Sequence, residues 1–94
     1  MKETTAILLD ADLAILGADP LAYQAYAIGV RAEYFFIDDQ QWSIGRGRIL
    51  RHFLDSSRLF HTDYMRAALE HRARANIEAE LAALGPAPTE RHPR

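Results

Sequence analysis

The chain has 94 residues, 49% of them hydrophobic and 26% charged, with a net charge of −2 and no cysteine. That length holds one domain with one core. The composition excludes disulfides, thiolate metal sites and thiol nucleophiles, and it provides no global basic field to attract nucleic acid.

No apolar run approaches the ~20 residues that a bilayer crossing requires. Lys2-Glu3 followed by an early Asp10 is not a secretory leader pattern. The expected setting is the cytoplasm, with neither a membrane nor a nucleic-acid partner.

Four helical segments can be read in chain order. The first is expected from about Thr4 to Leu16, capped by Thr4 or Thr5 and stopped by a left-handed Gly17. Ile7, Leu8, Leu9, Leu13, Ile15 and Leu16 surround nearly the whole helix, with Asp10 and Asp12 as the polar exceptions. A helix apolar on nearly all sides is normally buried.

Asp19-Pro20 opens the second segment as N-cap and first helical residue. Tyr23, Tyr26, Val30, Tyr34 and Ile37 then recur at spacings of three and four, which is one helix face. Because the surrounding charge is mixed, this aromatic stripe reads as core or interface and not as a base-stacking platform. Gly29, which costs up to ~1 kcal/mol relative to alanine in mid-helix, reads as the mark of a close helix crossing.

Asp38-Asp39 caps the third helix, whose apolar stripe is Trp42, Ile49, Leu50, Phe53 and Leu54, interrupted by Gly45 and Gly47. Ser56-Ser57 ends it, and Arg58-Leu59-Phe60 reads as a short turn. Thr62 or Asp63 caps the last and longest helix. Met65, Leu69, Ala73, Ile77, Leu81 and Leu84 form one stripe of that helix, and Ala68, Ala75, Ala79 and Ala82 form a small-residue face suited to close packing. On its surface, Arg66–Glu70 and Arg74–Glu78 are spaced for helical ion pairs. Gly85-Pro86 stops the helix. Residues 86–94, with three prolines and no bulky apolar residue, read as a disordered tail. The expectation is an all-α chain: a compact bundle of about four helices forming one domain over residues 1–85.

Asp10 and Asp12 are two carboxylates in an apolar helix. Residues two apart point roughly 200° away from each other on a helix, so the pair cannot face one small site. A buried carboxylate stays charged only if it is paired, hydrogen-bonded or metal-bound. Two readings follow. In one, an aspartate binds a divalent metal; in the other, one faces solvent and the other pairs with an arginine such as Arg31 or Arg48.

His52, His61, His71 and His92 include no i, i+3 or i, i+4 pair, which excludes a helix-borne His-x-x-x-His metal site. Ser43, Ser56 and Ser57 lack a nucleophile-elbow context. Arg46, Arg48 and Arg51 form a local basic cluster. A phosphate contact and a solvated helix face are both open for it, while the phosphate-loop lysine and preceding strand are missing. No residue is assigned a catalytic role.

The segment from Leu9 to Gly17, Leu-Asp-Ala-Asp-Leu-Ala-Ile-Leu-Gly, is similar to the Asp-Ala-Asp-x-Leu-x-x-Leu-Gly segment that follows the histidine motifs of HD-superfamily phosphohydrolases. The likeness continues in Val30-Arg31-Ala32-Glu33-Tyr34, Gly45-Arg46, Ile49-Leu50, Phe53-Leu54, Ala73-Arg74-Ala75-Asn76-Ile77 and Glu80-Leu81. Together these resemble the C-terminal half of a metal-dependent HD phosphohydrolase, over roughly residues 6 to 84.

In that family an upstream His, a His-Asp pair and a final Asp bind one or two divalent metals, which activate water for attack on a phosphate ester. The resemblance implies that Asp10 is the final metal ligand and Asp12 a neighbouring second-shell carboxylate. It also implies that Arg31 and Arg48 orient a phosphate. The sequence contains no His-Asp dipeptide, and one carboxylate cannot hold a catalytic metal. The resulting expectation is a truncated or split HD-type protein, not catalytic alone. It would bind no cofactor by itself, and would take a divalent metal (Mn, Mg or Fe) only if a partner completes the site. Losing partner helices would expose the apolar faces of the first two segments, so a homo-oligomer or an HD-bearing partner chain is expected. The alternative is a small helical homo-oligomeric interaction module with no enzymatic role.

Overall fold

The structure is a computed structural model that describes residues 2–85; the tail expected over 86–94 lies outside the described residues. In chain order it contains α1 (Lys2–Leu13), a 3₁₀ turn (Ala14–Gly17), α2 (Pro20–Glu33), α3 (Asp39–Asp55) and α4 (Asp63–Leu84). There is no strand among the described residues, and the all-α bundle of four helices is borne out. Thr4 and Thr5 lie inside α1 and not at its cap.

Three helix starts are chemically defined. Asp19 accepts from the N–H groups of Leu21 and Ala22, both at 3.1 Å, with Pro20 in the first turn. Asp38 accepts from Gln41 N at 2.8 Å, and the Thr62 hydroxyl accepts from Met65 N at 3.2 Å. Each side chain satisfies donors that the first turn leaves without a helical partner. At the far end of α4, Gly85 takes the positive φ of 86° that closes the helix.

The 22-residue α4, about 33 Å long, is the element against which the 3₁₀ turn, α2 and α3 pack. Its stripe of Met65, Leu69, Ala73, Ile77, Leu81 and Leu84 joins the core made by Leu16, Tyr23, Leu50, Leu59 and Phe60. Polar side chains on α4 also grip the end of the first segment. Buried Asn76 donates to the carbonyls of Leu16 and Ala18 at 2.9 and 2.8 Å, and Arg72 donates to Gly17 O at 2.7 Å.

The structure revises five expectations. Gly17 is not a left-handed stop, since Gly85 alone among the described residues has positive φ. Its role is steric: an added Cβ would sit 2.8 Å from Leu69 Cβ and 3.2 Å from the Leu69 carbonyl oxygen. The close crossing expected at Gly29 is therefore found at Gly17, and a Cβ on Gly29 would meet nothing within 4 Å.

α1 is also not buried on all sides, because Ile7, Leu8 and Leu9 are 59%, 62% and 43% exposed. On α4, the small-residue face of Ala68, Ala75, Ala79 and Ala82 is open instead of closely packed. The expected helical ion pairs are also replaced. Arg66 pairs with Asp63 and Arg74 with Glu70, because each carboxylate lies one turn N-terminal to its arginine.

These two glycines should behave oppositely. Gly17→Ala is expected to destabilise by about 1–3 kcal/mol through overpacking against Leu69. Gly29→Ala should stabilise by up to about 1 kcal/mol through helix propensity alone. Urea midpoints of the two variants check the contrast.

Candidate functional site

Asp10 lies in the last turn of α1, which brings its carboxylate to the loop between α3 and α4. It is 1% exposed, among the most buried side chains of the chain. Oδ1 accepts from His61 N at 2.6 Å, and Oδ2 accepts from Thr62 N at 2.8 Å and from the Thr62 hydroxyl at 2.7 Å. The Thr62 oxygen in turn accepts from Met65 N as the α4 cap. The carboxylate is thus placed beside the positive end of the α4 dipole and joined to it through a capping hydroxyl.

Burial pushes the Asp10 pKa up. The hydrogen bonds from His61 and Thr62 outweigh that, and the net direction is downward. Neither arginine considered as a partner contacts Asp10; the burial is supported by two backbone N–H donors and the Thr62 hydroxyl. Asp12, two residues on, is exposed, so the two aspartates do point to different environments.

The same loop is held from its other side by Glu70 of α4, a residue the sequence reading assigned to the surface. Glu70 accepts from Leu59 N at 3.0 and 2.8 Å and from Phe60 N at 3.2 Å. Arg74 donates to Glu70 at 2.9 Å and to the carbonyls of Leu54 and Ser56 at 3.1 and 2.8 Å. Burial raises the Glu70 pKa, but the N–H groups of Leu59 and Phe60 and the Arg74 guanidinium bring it below its ordinary value. The available signal was its position beside Leu69, with a turn of buried apolar residues ten positions upstream.

Arg31 is engaged at the α2–α3 corner. It donates to Tyr34 O and Ile37 O, both at 2.9 Å, pairs with Asp39 at 2.8 Å, and lies 5.1 Å from the centre of the Trp42 ring. Arg48 is exposed on α3 and has no ion pair among the described residues. Asp10 and Arg31 line different grooves.

Of the basic cluster, Arg46 does not belong to a solvated face. It is 8% exposed and forks onto Glu80 at 2.7 and 2.9 Å. Tyr23 donates its hydroxyl to the same carboxylate. Burial raises the Glu80 pKa, while Arg46 and Tyr23 lower it further than burial raises it. This buried bidentate pair joins α2, α3 and α4, and it was hidden in the sequence because thirty-four residues separate its partners.

A groove of about 500 Å³ runs beside Asp10, lined by Ile7, Asp10, Ala11, Thr62, Tyr64 and Met65. Its wall is apolar apart from the aspartate and threonine. Among the described residues no three His, Cys, Asp or Glu side chains gather as a metal set requires. The Asp10 oxygens already face three protein donors. These residues alone therefore do not fit a divalent metal. Compared with known proteins, the chain matches no family model, no curated protein and no solved structure.

The pH dependence follows from the carboxylates. Asp10, Glu70 and Glu80 are all depressed in the fold, so each contributes stability in full above the ordinary carboxylate pKa of about 4. That contribution is lost as pH falls through the lower folded values. Stability is expected to be flat from about pH 6 to 8 and to decline progressively below about pH 5. Asp10→Asn should cost about 2 kcal/mol at neutral pH, because its amide would face donors with a donor. It should also flatten the acid slope. Denaturant midpoints across pH check both.

Proposed function

We propose that this chain is the C-terminal helical half of an HD-type phosphohydrolase-like domain, not catalytic by itself, which works in the cytoplasm by associating with further helices. The observation that carries the reading is the asymmetry of α1. Ile7, Leu8 and Leu9 stand largely in water, while Asp10 beside them is closed off. A helix apolar around most of its circumference is suited to burial on several sides, and this chain covers one of them. The order and spacing of the motifs from Leu9 to Leu81 supply the HD direction. The absence of a helix long and apolar enough to cross a membrane, among the described residues, is compatible with it.

In this reading the α1 face receives either a second copy or a chain carrying the histidine half. Asp10 is the one ligand this chain would bring. It would have to release donors from its present hydrogen bonds to reach a metal, so metal binding and the α4 cap compete for the same carboxylate. Asp12 would stand beside it, and exposed Arg48 is freer than Arg31 to meet a phosphate.

A second reading, a small homo-oligomeric interaction module with no enzymatic role, is favoured by a separate observation. Phe35 and Phe36 are exposed at the α2–α3 corner.

The two readings separate in one set of measurements. The isolated chain is expected to show no manganese-dependent hydrolysis of phosphate esters. Adding a chain with the histidine half should give a stable complex, with manganese-dependent activity that Leu8→Lys and Asp10→Ala each abolish. Hydrolysis by the isolated chain would overturn the proposal. Failure of every histidine-bearing partner to bind would leave the module reading in its place.

A further inference from the structure

The α2–α3 corner presents four aromatic rings in a connected series. Phe35 meets Phe36 edge-on with centroids 5.7 Å apart, Phe36 lies 6.0 Å from Tyr34, and Tyr34 lies 5.7 Å from Trp42. The outer members are strongly exposed: Phe35 is 79%, Phe36 69% and Tyr34 44% accessible. The inner members wall a groove of about 350 Å³ lined by Val30, Tyr34, Ile37, Trp42, Gly45 and Ile49, with Arg46 at its base. Ile49, at its far end, is 50% exposed.

This corner is held rigidly. Arg31 ties the carbonyls of Tyr34 and Ile37 to Asp39 and stacks on Trp42, and Ile37 N returns to Tyr34 O at 3.0 Å. The two phenylalanines are therefore displayed on a braced turn, which lowers the ordering cost of any contact they make.

From these observations we infer that the corner is a self-complementary dimer interface, in which Phe35 and Phe36 of each copy enter the Tyr34–Trp42–Ile49 groove of the other. A projecting element and a receiving groove adjacent on one surface are what a two-fold contact needs, since each copy then supplies both halves. The area is adequate. With about 200 Å² per aromatic side chain, the exposed parts of Phe35, Phe36 and Tyr34 amount to roughly 400 Å². Ile49 and the groove walls bring each copy to about 500 Å², so a fully closed pair buries at most about 1,000 Å², the lower bound for a specific interface and the size of a weak, transient one.

Charge agrees with antiparallel pairing of the two α3 helices. Asp38 and Asp39 are exposed at the aromatic end of α3, where Asp39 already pairs with Arg31 and Asp38 carries the net charge, and Arg48 is exposed beside Ile49, about three turns away. The two-fold pairing sets the acidic end of one copy against Arg48 of the other. At the groove, Gly45 has open space where a side chain would project, so the opening is free to receive a ring. The inference uses no residue of α1 and so does not require the α1 association proposed above; Arg48 is common to both readings.

Analytical ultracentrifugation of the full chain from about 1 to 100 μM tests it, with circular dichroism melts as the folding control. The wild type should dimerise. Phe35→Ser with Phe36→Ser should weaken dimerisation at least tenfold, and Gly45→Trp, which fills the groove, should do the same. Arg48→Glu should weaken it severalfold in a salt-dependent way, whereas Leu8→Lys on α1 should leave the corner contact intact even where α1 carries a second contact. A monomeric wild type would overturn the inference. So would a dimer insensitive to the corner variants, or one abolished by Leu8→Lys alone. Flotation of the wild type with phosphatidylcholine–phosphatidylserine vesicles, lost in the double phenylalanine variant, would reassign the corner to a membrane surface.

Discussion

Leu59 and Phe60 lie in the core at 4% and 0% exposure, and they lie there in a loop. A loop that buries its side chains takes its backbone donors out of water with them, and each donor left unpaired costs about 1–3 kcal/mol. Four successive N–H groups, from Leu59 to Thr62, face this problem. Two carboxylates solve it: Glu70 takes the first two, and Asp10 takes the second two. The rest of the bundle follows from that solution. Asp10 brings α1 to the start of α4, Thr62 is positioned as the α4 cap, and Arg74 connects Glu70 to the last carbonyls of α3.

A second polar tie lies farther along α4. Glu80 is ten residues beyond Glu70, about 15 Å along the helix, and it gathers Arg46 from α3 and Tyr23 from α2. The backbone of α3 lies against α4 and that of α2 against α4 and the 3₁₀ turn, while α2 and α3 meet through side chains, chiefly Arg31 with Asp39 and Trp42. Burying such an ion pair is weak as a source of net stability, because desolvation offsets much of the attraction. Its evident structural effect is registry: one carboxylate sets where two helices stand on the third. The space left between α2 and α3 is the groove at the aromatic corner.

The same packing explains why two apolar surfaces remain open at different places. α1 touches the rest of the chain mainly through the 3₁₀ turn that follows it, so only the side bearing Asp10 is closed. The aromatic corner is open because Arg31 braces the turn from inside and leaves Phe35 and Phe36 outside. One surface is a helix with too little around it; the other is a rigid projection beside a receptive groove. Different partners are suited to each.

Much of the architecture was legible in the residues because it rests on local chemistry. Asp19-Pro20, Asp38, Thr62 and Gly85 mark helix ends through contacts within a few residues, and the Met65-to-Leu84 stripe follows helix periodicity alone. Asp10 was legible as a buried, exceptional carboxylate, and its divergence from Asp12 followed from helix geometry. Its partners were not legible, since they lie fifty-one and fifty-two residues away and two of the three donors are backbone N–H groups, which leave no trace in residue type. The burial of Arg46 and Glu80 was illegible for the same reason: each is polar alone, and only their meeting makes burial tolerable. Gly17 reads in the sequence as a helix stop and Gly29 as a close crossing; only the fold shows that Leu69 lies against Gly17 and nothing against Gly29. The sequence by itself thus determined which segments are helices and which charged residue is out of place. Tertiary structure decided which apolar faces are covered and which donors neutralise the buried charges, because both depend on groups that meet only after the chain has folded.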